Sequence, residues 1–216
     1  LGTTGCASTA DACERIGDGS NIYSAYPDAG DANNRLAVMA HNGTDAGSWN
    51  GTGGYVSLDA THSDEASVAV SGGTLYAAYA DTDATVTSGG SPRIFVKSYD
   101  GFGWSTVGSS DGVSYYDAQG DITYGVWGSY PSLFGDGTTL TTVYQSDSVG
   151  LIGSYTYSGG GETWDDADND YWGVTGNSIA SSQIALDGDS MNRPIAALEV
   201  GEMNAPEVQL YRYESG

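Results

Sequence analysis

The chain has 216 residues, among them 28 acidic and 6 basic side chains, for a formal net charge of −22. That field repels phosphate backbones and anionic headgroups, which argues against nucleic acid or a membrane surface as partner. No stretch approaches the roughly 18 apolar residues of a membrane span, so membrane insertion is not expected.

Gly 33, Tyr 16 and a single lysine, Lys97, fit an extracellular or cell-surface all-β protein better than a cytosolic enzyme. No basic segment leads into an apolar one, so any signal peptide is expected to have been removed. The acidity reads either as solubility or as carboxylates holding calcium. Cys6 and Cys13, in "CASTADAC", could close a small disulfide loop in an oxidising compartment. Free buried thiols or a lipid-anchored cysteine are the alternatives. Zinc is not expected, because His41 and His62 lack ligand spacing.

Along the chain the first signal is a repeat. "NIYSAYPD" at 21–28 returns as "TLYAAYAD" at 74–81, a shift of 53 that also aligns Gly19 with Gly72 and Asp11 with Asp64. Four pairs of apolar segments are joined by Gly-containing turns: "ERIGDGSNIYSAY", "VAVSGGTLYAAY", "SLFGDGTTLTTVY" and "IALDGDSMNRPIAAL". Asp-Gly and Gly-Gly supply the positive φ of tight hairpins. A third strand follows each: "RLAVMAHNG", "RIFVKSYDG", "LIGSYTYSGGG" and "VQLYRYESG". In three copies a turn then delivers Trp49, Trp104 or Trp164, where a fourth strand begins, with "YVSLDAT" as its clearest example. The two N-G-T triplets, at Asn42 and Asn50, are glycosylation acceptors in form, but Asn-Gly is also turn chemistry, the preferred reading unless the source is eukaryotic.

Four-stranded antiparallel units at this spacing are the mark of propeller blades, and the chain resembles a β-propeller. "YSGGGETW" is similar to the Asp-box turns of sialidase-like propellers, with Gly159 where the Asp would stand. The resemblance implies an all-β propeller of four four-stranded antiparallel blades in one domain. The repeats run approximately 10–62, 63–128, 129–180 and 181–216 plus 1–9. The fourth unit stops after its third strand, and the N-terminus overlays a fourth one. The N-terminal strand is therefore expected to close the last blade. Four blades cut from a larger ring is the alternative.

Residues that recur in each unit serve the unit. Tyr26, Tyr79 and Tyr144 are expected to pack, the tryptophans to brace a turn, and Arg35 and Arg93 to begin third strands. Departures from the repeat are the site candidates. Tyr79 to Tyr144 is 65 residues, and the added length falls in "SSDGVSYYDAQGDITYGVWG", with Tyr115, Tyr116, Tyr124 and Trp127. The next connection, "WDDADNDYWG", adds Tyr171 and Trp172. Aromatics beside Asp and Asn suit a sugar ring. Asp166, Asp168 and Asp170 form a D-x-D-x-D series able to present oxygens to calcium; "DAGDANN", with Asp28, Asp31 and Asn33, is a weaker series.

No catalytic residue is assigned. No G-x-S-x-G elbow occurs, two of five arginines belong to the repeat, and acids are too many for a pair to be chosen. The expected function is non-catalytic recognition or adhesion, with a glycan or an extracellular protein as partner. The alternatives are a self-assembling structural subunit of a surface layer or filament, and a sialidase-like glycosidase propeller.

Overall fold

In the computed structural model of the chain the described residues are 14–17, 21–28, 35–41, 50–56, 66–81, 92–110, 112–113, 115–116, 122–123, 128–146, 152–159, 165–166, 179–189, 191, 193–202 and 205–212. They form antiparallel sheets, and no helix occurs among them.

The first sheet runs β1 (Glu14–Gly17), β2 (Ile22–Pro27), β3 (Leu36–His41), β4 (Asn50–Tyr55). The second runs β5 (Ala66–Ser71), β6 (Thr74–Asp81), β7 (Arg93–Tyr99), β8 (Trp104–Thr106). A two-stranded ribbon, β9 (Tyr115–Tyr116) with β10 (Ile122–Thr123), lies in the following connection. The third sheet is β11 (Gly128–Gly135), β12 (Leu140–Ser146), β13 (Ile152–Tyr157), β14 (Asp165–Asp166). The fourth has three strands: β15 (Ile179–Gly188), β16 (Pro194–Glu202), β17 (Ala205–Arg212).

Alternation along each strand sends side chains to two faces, and the second sheet buries both. Val68, Leu75, Ala77, Tyr79 and Phe95 meet Ala25, Leu36, Val38 and Val56 of the first sheet. The opposite face, with Ala69, Ala78, Ala80, Ile94 and Val96, meets Leu133, Leu140 and Tyr144 of the third. Each large aliphatic side chain so buried contributes about 1.5–3 kcal/mol. Tyr79 stacks on Phe95 with centroids 5.6 Å apart, while Tyr26 is half-buried with its hydroxyl 2.9 Å from Met39 Sδ. Trp104, opening β8, lies 5.3 Å from the Tyr99 ring.

Successive sheets pack through their first strands, β1 on β5, β5 on β11 and β11 on β15. Serine hydroxyls tie the second to the third: Leu133 N–H donates to Ser67 Oγ at 2.8 Å, and Gly137 N–H to Ser71 Oγ at 2.9 Å. The approach is close enough to require glycine. A Cβ on Gly135 would stand 2.4 Å from Ser71 Cβ, and Gly72, at φ 56, would meet Gly137 O at 2.9 Å.

One sequence expectation is corrected here. The fourth strand of the first sheet, Asn50–Tyr55, begins directly after Trp49 as expected, while residues 57–61 of "YVSLDAT" lie outside the described residues. Its glycines read as a loop, yet the backbone pairs with β3 through a register shift, and Gly54 at φ 97 supplies the bend. Asn50 pairs with Ala40, so it is a strand residue and not part of a turn. Residues 1–9, the expected closing strand, and Cys6 and Cys13 lie outside the described residues.

Candidate functional site

An up-and-down sheet places its first and third turns at one end and its middle connection, with the link to the next sheet, at the other. Here the first end carries short turns such as Ser71–Thr74 and Tyr99–Trp104. The other end carries the long connections: 82–92 between β6 and β7, 107–127 with the ribbon, and 167–178 before β15. One rim is therefore compact and the other built of loops, where recognition concentrates on rigid scaffolds.

On the loop rim three of the four second strands end in carboxylates: Asp28 after β2, Asp81 in β6 and Glu202 in β16. Asp28 N–H donates to Arg35 O at 3.0 Å. The Asp28 carboxylate accepts from Tyr55 OH at 2.9 Å, and Arg35 Cζ sits 4.0 Å over the Tyr55 ring. Burial, and then the charge of Asp28, raise the Tyr26 phenol above its ordinary value, so the ring stays neutral. Asp28 is thus engaged with protein groups.

Asp81 is buried, opposite Arg93 in the β6–β7 register. Below it Lys97 is buried too, donating to Val56 O at 2.6 Å across the first and second sheets. Burial pushes the Lys97 ammonium below its usual range, and the Asp81 charge opposes this. Over the start of β7 lies 112–113, with Val113 N–H on Ile94 O at 2.8 Å. Gly128 N–H donates to Pro92 O at 3.0 Å, fixing the start of β11 beside the start of β7. β11 then breaks register between Ser129 and Ser132, and there Tyr130 has φ 54.

Tyr115 and Tyr116 form β9, and β9 lies beside β14, which contains Asp166 and pairs with Tyr155 and Thr156 of β13. The backbone thus joins the two connections singled out by departure from the repeat. Tyr124, Trp127, Tyr171, Trp172, Asp168 and Asp170 lie outside the described residues. Among the described residues no group of three His, Cys, Asp or Glu could hold a metal ion. The positive φ of Tyr130 was not legible in the sequence, because Tyr-Pro reads as ordinary extended backbone.

No protein-family model matches the chain, and no curated protein matches it in sequence. Solved structures do. An α-L-arabinanase of Penicillium chrysogenum, complexed with arabinobiose, matches at TM-score 0.54 and 11% identity over 93% of this chain and 60% of that one. A GH43 β-xylosidase/α-arabinofuranosidase from a compost microbial metagenome, complexed with xylotriose in a calcium-free form, matches at 0.54 and 14% over 93% and 69%. A further β-xylosidase matches at 0.54 and 8% over 94% and 70%. The chain thus spans about 60–70% of the length of these neighbours.

These neighbours are five-bladed β-propellers, and the likeness places this all-β chain in the β-propeller fold. It also corrects the functional expectation. The preference for a non-catalytic recognition or adhesion module is overturned, because the fold matched over nearly the whole chain is one in which glycoside hydrolases work. The denial of enzymatic activity falls for the same reason.

Proposed function

We propose that the chain is the propeller of a glycoside hydrolase acting on a neutral, pentose-containing glycan at the rim of long connections. The observation that carries this reading is the fold likeness, over 93% of the chain, to an arabinanase and to a xylosidase/arabinofuranosidase. The backbone supports it by bringing the Tyr115–Tyr116 strand beside the strand that contains Asp166. Tyr124, Trp127, Tyr171 and Trp172 are proposed to extend that aromatic surface for sugar rings.

Glycoside hydrolysis uses two carboxyl groups. One protonates the leaving oxygen; the other activates water or attacks the sugar carbon. Among the described first strands, the acid at the start on the loop rim is Glu14 of β1, and we assign it one of the two roles. The partner comes from the acids that end second strands on the same rim. Product release from arabino- and xylo-oligosaccharides, followed by chromatography, tests the assignment. The chain should release sugar, and Glu14→Gln should lower the rate by roughly 10²–10⁴-fold. Absence of turnover across the panel contradicts the reading.

Finer features belong to the same proposal: a closed ring of four blades with residues 1–9 as the fourth strand beside β17, and secretion from the cell. Calcium is proposed at Asp166, Asp168 and Asp170, so a chelator should lower the melting temperature; an unchanged melt removes calcium from the proposal.

A further inference from the structure

Of the large apolar side chains exposed among the described residues, Phe102 is the most exposed, at 91%. It stands in the turn between β7 and β8, on the compact rim, where so exposed a ring contributes nothing to the core. The turn is set by its neighbours. Asp100 Oδ1 accepts the Phe102 and Gly103 N–H groups at 2.8 Å each, Asp100 N–H donates to Gly103 O at 3.2 Å, and Gly101 has φ 96. The Tyr99 hydroxyl adds a fourth bond, donating to Gly101 O at 2.9 Å. A scattered exposed apolar residue is ordinary. One carried on a turn with four hydrogen bonds is pre-organised, and docking then costs little backbone entropy.

Two further aromatics flank the turn. Tyr99 and Trp104 are half-buried, their rings 5.3 Å apart, and both pack on the core between the first and second sheets. The turn thus carries three aromatic side chains, one exposed and two rooted. The charge around them selects a partner. Asp100 is exposed, and the Gly103 and Phe102 N–H groups hold its carboxyl below the usual range, so it stays ionised. In turns of the third and fourth sheets on the same rim, Asp136 and Asp189 accept N–H groups in the same way. Arg193, also on this rim, is engaged by Asp189. Aromatic faces and carboxylates both attract cations, whereas a second copy of a chain at −22 is repelled.

We propose that the Tyr99–Trp104 turn is a docking tip for a cationic segment of a partner protein. Lys or Arg side chains of that segment meet Asp100 and the aromatic faces, and its apolar side chains cover Phe102. The tip lies on the rim opposite the long connections, so it stands independently of the glycan-active reading. A partner held there leaves the loop rim open.

A phage-displayed library of random peptides, panned on the intact chain, tests the proposal. Enriched peptides should carry Lys or Arg next to an apolar residue, and the synthesised consensus peptide should bind more weakly as salt is raised. In titration calorimetry Phe102→Ser should bind that peptide about ten-fold more weakly, as loss of an aromatic anchor does, while melting at the parent temperature. Phe102→Trp, which keeps an aromatic face, should bind as the parent does. Absence of an enriched peptide, a consensus without basic residues, salt-independent binding, parent-like binding by Phe102→Ser or a lower melting temperature for that variant overturns the docking tip. So does self-association of the parent chain in sedimentation that Phe102→Ser abolishes, which would assign the turn to a second copy.

Discussion

Lys97 shows how one side chain couples two sheets. Its Nζ spans to Val56 O at 2.6 Å, near the Tyr79 ring at 5.9 Å and under the influence of Asp81. Lys97→Met keeps the apolar stem but leaves the Val56 carbonyl without its donor. Chemical denaturation should show a loss of about 1.5–3 kcal/mol, and an unchanged midpoint would deny the coupling. Thr142 is the converse. It is fully buried, and its Oγ1 has no partner. Thr142→Val removes an unsatisfied hydroxyl at constant shape, so stability should hold or rise by about 1 kcal/mol. A clear loss would mean that the hydroxyl is bonded in solution.

Turns on the compact rim are held by aspartates. Asp100 Oδ1 accepts from Gly103 and Phe102 N–H at 2.8 Å each, and Asp136 Oδ1 from Thr138 and Thr139 N–H. Asp189 accepts from Arg193 Nε at 2.8 Å and from Met191 N–H. The Arg193 hydrogen bonds hold the Asp189 carboxyl down to about 2. A depressed carboxylate stabilises the fold above its unfolded value, near 3.8, and that stabilisation is lost as pH falls toward 2. Asp189→Asn should therefore flatten the stability–pH curve between about pH 4 and 2; an unaltered curve contradicts the ion pair. These turns were legible in the sequence because Asp-Gly and Gly-Gly announce hairpins by their backbone needs alone. β4 was less so, since "NGTGG" pairs through a bulge that local preference does not signal. The ribbon of β9 and β10 escaped because two-residue strands leave no alternation to read.

The stack of sheets ends in two faces with apolar residues. Ile22, 45% exposed, sits on the first sheet, and Val208 and Leu210, 74% and 73% exposed, alternate on β17 of the fourth. Under the proposed ring closure these faces meet and residues 1–9 cover the β17 edge. Deletion of 1–9 should then lower the melting temperature by several degrees, since each 1 kcal/mol is worth about 2–4 °C at this size; an unchanged melt contradicts the closing strand. Recurrence at 53 residues made the sheets and their order readable. It did not show the unpaired Nε of Arg93, a residue explained by recurrence, and the φ of Tyr130 leaves no trace in composition. The most direct measurement is oxidative footprinting of the chain with and without arabino- or xylo-oligosaccharide, read by mass spectrometry. The Tyr115–Tyr116 ribbon should become protected while Phe102, 91% exposed on the compact rim, stays equally reactive. Protection at Phe102 with no change at Tyr115 and Tyr116 would contradict a sugar site on the rim of long connections.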